Sequence, residues 1–100
     1  MLWGSIPATD TSEKRTNFLA YKYLDLEAVF TNAGRTAILI PCAPLEYAIK
    51  QYYHIANGEP QNQNYWAILN VTVTVNIIQI DSYYKGSGVG AGALNIYGIK

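Results

Sequence analysis

The sequence predicts a mainly β protein: a small antiparallel β-sandwich or roll with one short helix, about 44–57, and extended terminal arms. Three observations lead to this prediction. Segments 19–30 and 65–81 alternate apolar and polar residues with the two-residue period of a strand. Asparagine and glycine residues, which favour turns, separate the apolar segments. Helical spacing of apolar residues is clearest over 44–57.

Composition favours a protein that packs permanently against neighbours. The chain has 100 residues, enough for one domain, and only 14% of them are charged, whereas an average soluble domain carries about 25%. Nine tyrosines are present, and tyrosine is enriched at protein interfaces. The net charge is zero and no basic run exists, so we expect no nucleic-acid partner.

The N-terminal segment, residues 1–17, is mixed and polar and predicts an arm or an ordered loop ahead of one domain over 18–100. Trp3 indicates that this arm docks on its own domain or on a neighbour. The segment has neither the basic start nor the continuous apolar stretch of a signal peptide. No run of 18 uncharged apolar residues occurs, so we expect no membrane association.

Residues 19–30 read as a half-exposed strand, with a helix ending near Gly34 as the competing interpretation. Its predicted buried face is Ala20, Leu24, Leu26, Ala28 and Phe30. The turn signal 31–34 follows, because Asn32 and Gly34 tolerate positive φ. Residues 36–40 then predict a short buried strand that ends at Pro41, since proline cannot donate to a sheet ladder.

Residues 44–57 place Leu45, Ala48, Ile49, Tyr52 and Ala56 on one helical stripe, with an excursion of turns as the alternative. The segment 65–81 is the strongest strand signal, but its apolar parity changes and its length exceeds that of an average strand. A bulge or bend near residues 76–78 accounts for both facts.

Glycine recurs at every second position from Gly86 to Gly92. The run matches the dinucleotide fingerprint only loosely, because no acidic residue follows at the required distance. We therefore expect no nucleotide cofactor, and predict a surface segment that becomes ordered on contact with a neighbour. Residues 94–99 resume a strand-like pattern.

The residues that most often carry chemistry are sparse. Cys42 is the single cysteine and predicts a small buried hydrophobe, so no disulfide or cysteine-based zinc site can form within the chain. Asp25 and Glu27 share one strand face, which favours a solvated surface over a glycosidase pair. His54 has no nucleophile or orienting partner in its local sequence. We expect no catalytic, cofactor-binding or metal-binding residues, and no enzyme activity.

Arg35 follows the turn glycine directly, which raises two interpretations: an anion-binding charge, or a structural contact that fixes the corner. The stretch with Phe30, Asn32, Gly34, Arg35 and Thr36 resembles a block of small β-rich virion proteins of tailed phages, of the head-decoration or minor capsid kind. The later Thr-Val-Thr-Val at 72–75 is similar to their following strand, although the intervening segment is longer here. The resemblance implies a β-sandwich that coats or joins a capsid.

The expected function is therefore that of a structural virion protein, assembled in the host cytoplasm, which binds itself, a major capsid protein, or both. The alternative is a small intracellular host-interaction or inhibitor module. Four aromatic residues are the predicted interface anchors: Trp3, Tyr83, Tyr84 and Tyr97. Asn32, Gly34 and Arg35 are the predicted structural turn, and Arg35→Ala is expected to harm folding or assembly.

Overall fold

A computed structural model describes residues 2–42, 50–58, 64–74 and 76–100. They form two antiparallel four-stranded sheets that pack face to face, as predicted for a β-sandwich. The strands are β1 (Leu2–Pro7), β2 (Lys14–Arg15), β3 (Tyr23–Phe30), β4 (Gly34–Pro41), β5 (Gln51–Gly58), β6 (Trp66–Val73), β7 (Ile77–Lys85) and β8 (Gly92–Ile99). Sheet I has the order β1-β8-β3-β4, and sheet II has the order β2-β7-β6-β5.

Strand alternation builds the core that lies between the two sheets. On β3, the even-numbered residues Leu24, Leu26, Ala28 and Phe30 point inward and are buried, as predicted. Ala20 does not share that face, because it lies in the 3-10 turn Phe18–Ala20 ahead of the strand and is exposed. The odd-numbered positions of β3 face outward, so this central strand of sheet I separates the core from the outer surface.

The predicted helix over 44–57 is wrong where the structure describes it, because Gln51–Gly58 is strand β5. The start of that prediction, residues 44–49, lies outside the described residues. Ladder pairing to β6 overrides the helical spacing: His54 pairs with Asn70 and Ile55 with Leu69. Ile55 then lies fully buried in the core.

The segment 65–81 forms two strands in place of one bent strand. Strands β6 and β7 pair as a hairpin, and the Thr74 hydroxyl accepts hydrogen bonds from the Asn76 and Ile77 amides at the turn. Chain reversal explains the change of parity, because β7 restarts the alternation with Ile78 and Ile80 inward. A bulge does occur in this hairpin, but farther along, where the register shifts between Asn70 and Val71.

The described part of the N-terminal segment, residues 2–17, contributes one strand to each sheet. Strand β1 pairs with β8, and the two-residue β2 pairs with β7. Trp3 packs edge-on against the buried ring of Phe18, with 5.6 Å between ring centroids. The arm therefore docks on its own domain, which is one of the two outcomes that Trp3 predicts.

The glycine segment 86–92 also packs within the chain. The Gly88 amide donates to the Asn64 carbonyl, the Gly90 amide donates to the Thr31 carbonyl, and Val89 is buried. A Cβ on Gly88 would lie 2.6 Å from a ring carbon of Tyr65, so the backbone approaches that ring too closely for a side chain. The contacts that order this segment come from its own domain.

Candidate interaction surface

The outer face of sheet I carries the largest share of the exposed apolar side chains. The odd-numbered positions of β3, β4 and β8 point away from the core, and Leu2 joins them through its pairing with Tyr97. Seven large apolar side chains are exposed among the described residues, and four of them lie on this face: Leu2, Tyr23, Leu39 and Ile99. Leu39 is 61% exposed and Leu2 is 56% exposed.

The strand register arranges these side chains in two neighbouring rows, which we name the apolar half of the face. The first row runs across Pro41, Tyr23 and Ile99, and the second across Leu39, Asp25, Tyr97 and Leu2. The two rows cover all four strands at one end of the sheet. A contiguous exposed apolar area of this kind is typical of surfaces that bind a protein, a membrane or a ligand.

Asp25 is the one ionisable carboxylate within the apolar half. Its neighbours across the ladder are Leu39 on one side and Tyr97 on the other. Asp25 makes no ion pair or side-chain hydrogen bond with another residue in the described ranges. A partner that covers this area must therefore offer a cation or a donor to Asp25, since burying a carboxylate alone is costly.

A polar ladder crosses the middle of the face. The Ser5 hydroxyl donates to Asn95 Oδ1 at 2.7 Å, and Asn95 Nδ2 donates to Glu27 Oε1 at 3.1 Å. Arg35 continues the ladder, with its guanidinium 3.7 Å from Glu27 Oε2. The four residues come from β1, β8, β3 and β4, so this ladder links every strand of sheet I.

Smaller side chains occupy the far end of the face, beyond the polar ladder. The row of Pro7, Ala93 and Val29 ends at Arg35 on β4. We name this row the small end. The face thus has large apolar side chains at one end, small ones at the other and hydrogen-bonded polar groups between them.

The outer face of sheet II is different in character. It exposes Tyr52 and Tyr84, but a polar row lies between them, in which the His54 ring contacts the Asn70 amide and that amide donates to Ser82. The two tyrosines are four rungs apart along β6, since Tyr52 pairs with Thr72 and Tyr84 with Ile68. This face offers separate aromatic contacts in place of one apolar area.

The structure places the four predicted interface aromatics in three different settings. Tyr97 lies in the apolar half, and Tyr84 lies on the outer face of sheet II. Trp3 packs on Phe18, while Tyr83 stacks on the buried ring of Phe30 and donates from its hydroxyl to the Gly90 carbonyl. Two of the four side chains are thus engaged inside their own domain.

Sequence reasoning missed Leu2, Tyr23, Leu39 and Ile99. The prediction of 36–40 as a buried strand is wrong, because β4 is an edge strand and only Ile40 is buried among those five residues. A signal was available: the continuous apolar run from Ala37 to Ile40 supplies both faces of a strand. Where one face already covers the core, the other face of such a run is apolar and exposed.

The predicted turn is confirmed in its backbone. Asn32 has φ of 68° and Gly34 has φ of 83°, the left-handed region that these residue types tolerate. The Asn57 amide donates to the Arg35 carbonyl at 2.8 Å and ties this corner to β5 of sheet II. The Arg35 guanidinium lies 3.7 Å from Glu27 Oε2, and the Arg35 side chain is 69% exposed. The effect of Arg35→Ala stays a prediction.

The remaining candidates for chemistry are Cys42, His54 and Glu27, which lie in three different settings. Burial raises the pKa of the Cys42 thiol, which disfavours the reactive thiolate, and the His54 side chain is held against Asn70 on an exposed strand. Glu27 is occupied by Asn95 and Arg35. Among the described residues, no group of three or more histidine, cysteine or carboxylate side chains is placed to hold a metal ion.

The fold and its surface define a class: a two-sheet antiparallel sandwich with one apolar outer face. Within the described ranges, no helix is long and apolar enough to cross a membrane. No protein-family model matches the chain, and neither a curated protein nor a solved structure matches it.

Proposed function

We propose that this protein is a structural, non-catalytic component of an assembly, which docks through the outer face of sheet I. The observation that carries the proposal is the apolar half, in which exposed Leu2, Leu39, Tyr23 and Ile99 form one area across four strands. Covering apolar surface stabilises a complex by about 25 cal/mol for each Å² removed from water. Binding by such a face needs shape and area but no turnover.

The proposed assembly is a virion, with the protein coating or joining the capsid shell. The resemblance of the stretch around Arg35 to small virion proteins of tailed phages supports this setting. The neutral net charge and the low fraction of charged residues support it as well, because little charge repulsion opposes close packing of many copies. The proposed partners are further copies of this chain and the major capsid protein.

The test is to look for the chain in purified particles of the virus that encodes it, and to compare two single substitutions. Leu39→Lys places a charge in the apolar half, whereas Tyr84→Lys places the same charge on the outer face of sheet II. Both side chains are more than half exposed, so neither change should unfold the domain. We expect Leu39→Lys to lose incorporation and Tyr84→Lys to retain it. Absence of the wild-type chain from the particles would reject the virion setting.

A second candidate function is a binding module that acts on a host protein. The observation that favours it is the pair Tyr52 and Tyr84, exposed on sheet II beside hydrogen-bonded polar groups, because tyrosines of this kind are frequent binding hot spots. Loss of binding in Tyr84→Lys, with Leu39→Lys unaffected, would favour this function over the first.

A further inference from the structure

We infer that the occupant of the outer face of sheet I is a second copy of this chain, packed face to face across a two-fold axis that follows the polar ladder. The inference rests on the proposed function of this face and adds the partner and its orientation. Two stacked sheets can be related by a two-fold axis that lies between them, which gives the same surface to both copies. The position of that axis decides which residues meet.

An axis along the ladder superposes the second row of the apolar half of one copy on the small end of the other. On β3, Asp25 and Val29 lie two residues on either side of Glu27, so the rotation exchanges their rows. Tyr97 of one copy then lies over Ala93 of the other, and Leu2 lies over Pro7. On β8 and β1 a large side chain thus meets a smaller one, which is how facing layers interdigitate without voids. On β4 the rotation places Leu39 of one copy over Arg35 of the other.

The same axis gives Asp25 a cation, which none of the described residues of its own chain supplies. Arg35 lies beside Val29 in the ladder, one strand away. With strands about 4.8 Å apart and sheets about 10 Å apart, the Cα atoms of Asp25 and the Arg35 of the second copy are separated by about 11 Å. An extended arginine and an aspartate can close that gap. Arg35 is 69% exposed and lies 3.7 Å from Glu27 Oε2, so in the dimer its guanidinium bridges Glu27 of its own chain and Asp25 of the other.

Within one chain the same two residues are too far apart to pair. Asp25 and Arg35 differ by four residues along the strand and by one strand across it. At about 3.4 Å per residue, their Cα atoms are about 14 Å apart on a surface where both side chains point the same way. If charge changes at these two residues affect dimerisation in a coupled way, the two side chains therefore meet between copies.

The size of the face sets the strength of this dimer. Three strands of eight residues and β1 with six residues cover about 500 Å² for each copy, or about 1,000 Å² in total, at about 3.4 Å per residue and about 4.8 Å per strand. That is close to the lower limit for a specific interface, so we expect a dimer that dissociates on dilution. Within a shell, a high local concentration of copies would hold the contact closed.

The experiment is sedimentation velocity on the whole chain at low salt, up to about 1 mM protein, with two charge reversals. Asp25→Arg places arginine opposite arginine in the dimer, and Arg35→Asp places aspartate opposite aspartate. We expect each variant alone to weaken the dimer about tenfold or more, because like charges meet twice across the axis. Mixing the two variants should restore a dimer within about threefold of the wild type, since both contacts then join opposite charges.

Controls separate a folding defect from a lost contact. Each variant must show the wild-type far-ultraviolet spectrum and a cooperative thermal transition, and Asp25→Lys with Arg35→Glu repeats the test if either first variant fails to fold. Tyr84→Lys serves as the matched control on the other sheet and should leave the dimer unchanged.

Two results would overturn the inference. The first is a wild type that stays monomeric up to about 1 mM, and the second is a wild-type dimer that the mixed variants do not recover. Neither result decides the proposed function, because docking on a different subunit is tested separately by incorporation of Leu39→Lys into particles. Loss of that incorporation by a chain that is monomeric alone would assign the face to another protein.

Discussion

Leu26 and Leu39 lie on neighbouring strands of one hairpin but on opposite faces of sheet I. Leu26 on β3 is fully buried, whereas Leu39 on β4 is 61% exposed. Truncation of each to alanine removes the same atoms from two different environments. The pair therefore tests the face assignment on which both the fold and the interaction surface depend.

The expected costs differ by several fold. Leucine-to-alanine changes in a core cost about 2.7–5.0 kcal/mol, because the lost burial is joined by the cost of the cavity that remains. Full burial of a leucine side chain contributes about 1.5–3 kcal/mol, so two fifths of that burial contributes about 0.6–1.2 kcal/mol at most. We expect Leu26→Ala to lower the free energy of unfolding by about 3 kcal/mol and Leu39→Ala by less than about 1 kcal/mol.

The assay is urea unfolding followed by far-ultraviolet circular dichroism, at a protein concentration low enough that any dimer has dissociated. Association is then measured separately, and there the order should reverse: Leu39→Ala weakens it and Leu26→Ala does not, provided that the domain remains folded. Equal unfolding costs for the two variants would refute the assignment, because a shift of one residue in register exchanges the two faces of a strand.

Three further predictions follow from single contacts. Gly58→Ala should lower the free energy of unfolding in urea by about 2 kcal/mol or more, because φ of 151° disfavours a side chain and the added Cβ would lie 2.5 Å from Trp66 Cα. Gly4→Ala is the control and should be nearly neutral, since its added Cβ meets nothing within 4 Å. Lys14 and Ser12 lower the pKa of Asp10 from 3.8 to about 2, so nuclear magnetic resonance titration should give that value; the stability that this carboxylate adds is complete above pH 4 and is lost as pH falls through 2. Burial raises the pKa of Cys42, so alkylation should stay slow in the folded protein and become fast in urea; rapid modification without denaturant would contradict its burial.

Local chemistry made some features of this protein predictable. The alternation at 24–30 predicts one buried face, and the structure buries those four even-numbered residues. Asn32 and Gly34 predict a turn with positive φ, which is also confirmed. In both cases the signal is local, since a strand period and a turn conformation depend on a few adjacent residues.

Other predictions failed where a distant strand decided the outcome. The apolar spacing from Tyr52 to Ala56 suits a helix, but pairing of β5 with β6 makes it a strand. The segment 65–81 has the alternation of one long strand, but a turn divides it into a hairpin. At the point of division, the Thr74 hydroxyl accepts hydrogen bonds from both turn amides. Nothing in the local sequence pattern distinguishes a threonine in that turn from a threonine within a strand.

The sequence by itself determined a β-rich domain with low charge, many tyrosines, one turn of known geometry and one face of its central strand. Only the tertiary structure decided that β4 is an edge strand, that Trp3 and Tyr83 are held inside the domain, and that Leu2 and Ile99 join Leu39 on one surface. The physical reason is that a surface is assembled across strands that are far apart in the chain. Strand order and register set those neighbours, and they depend on pairing between whole strands.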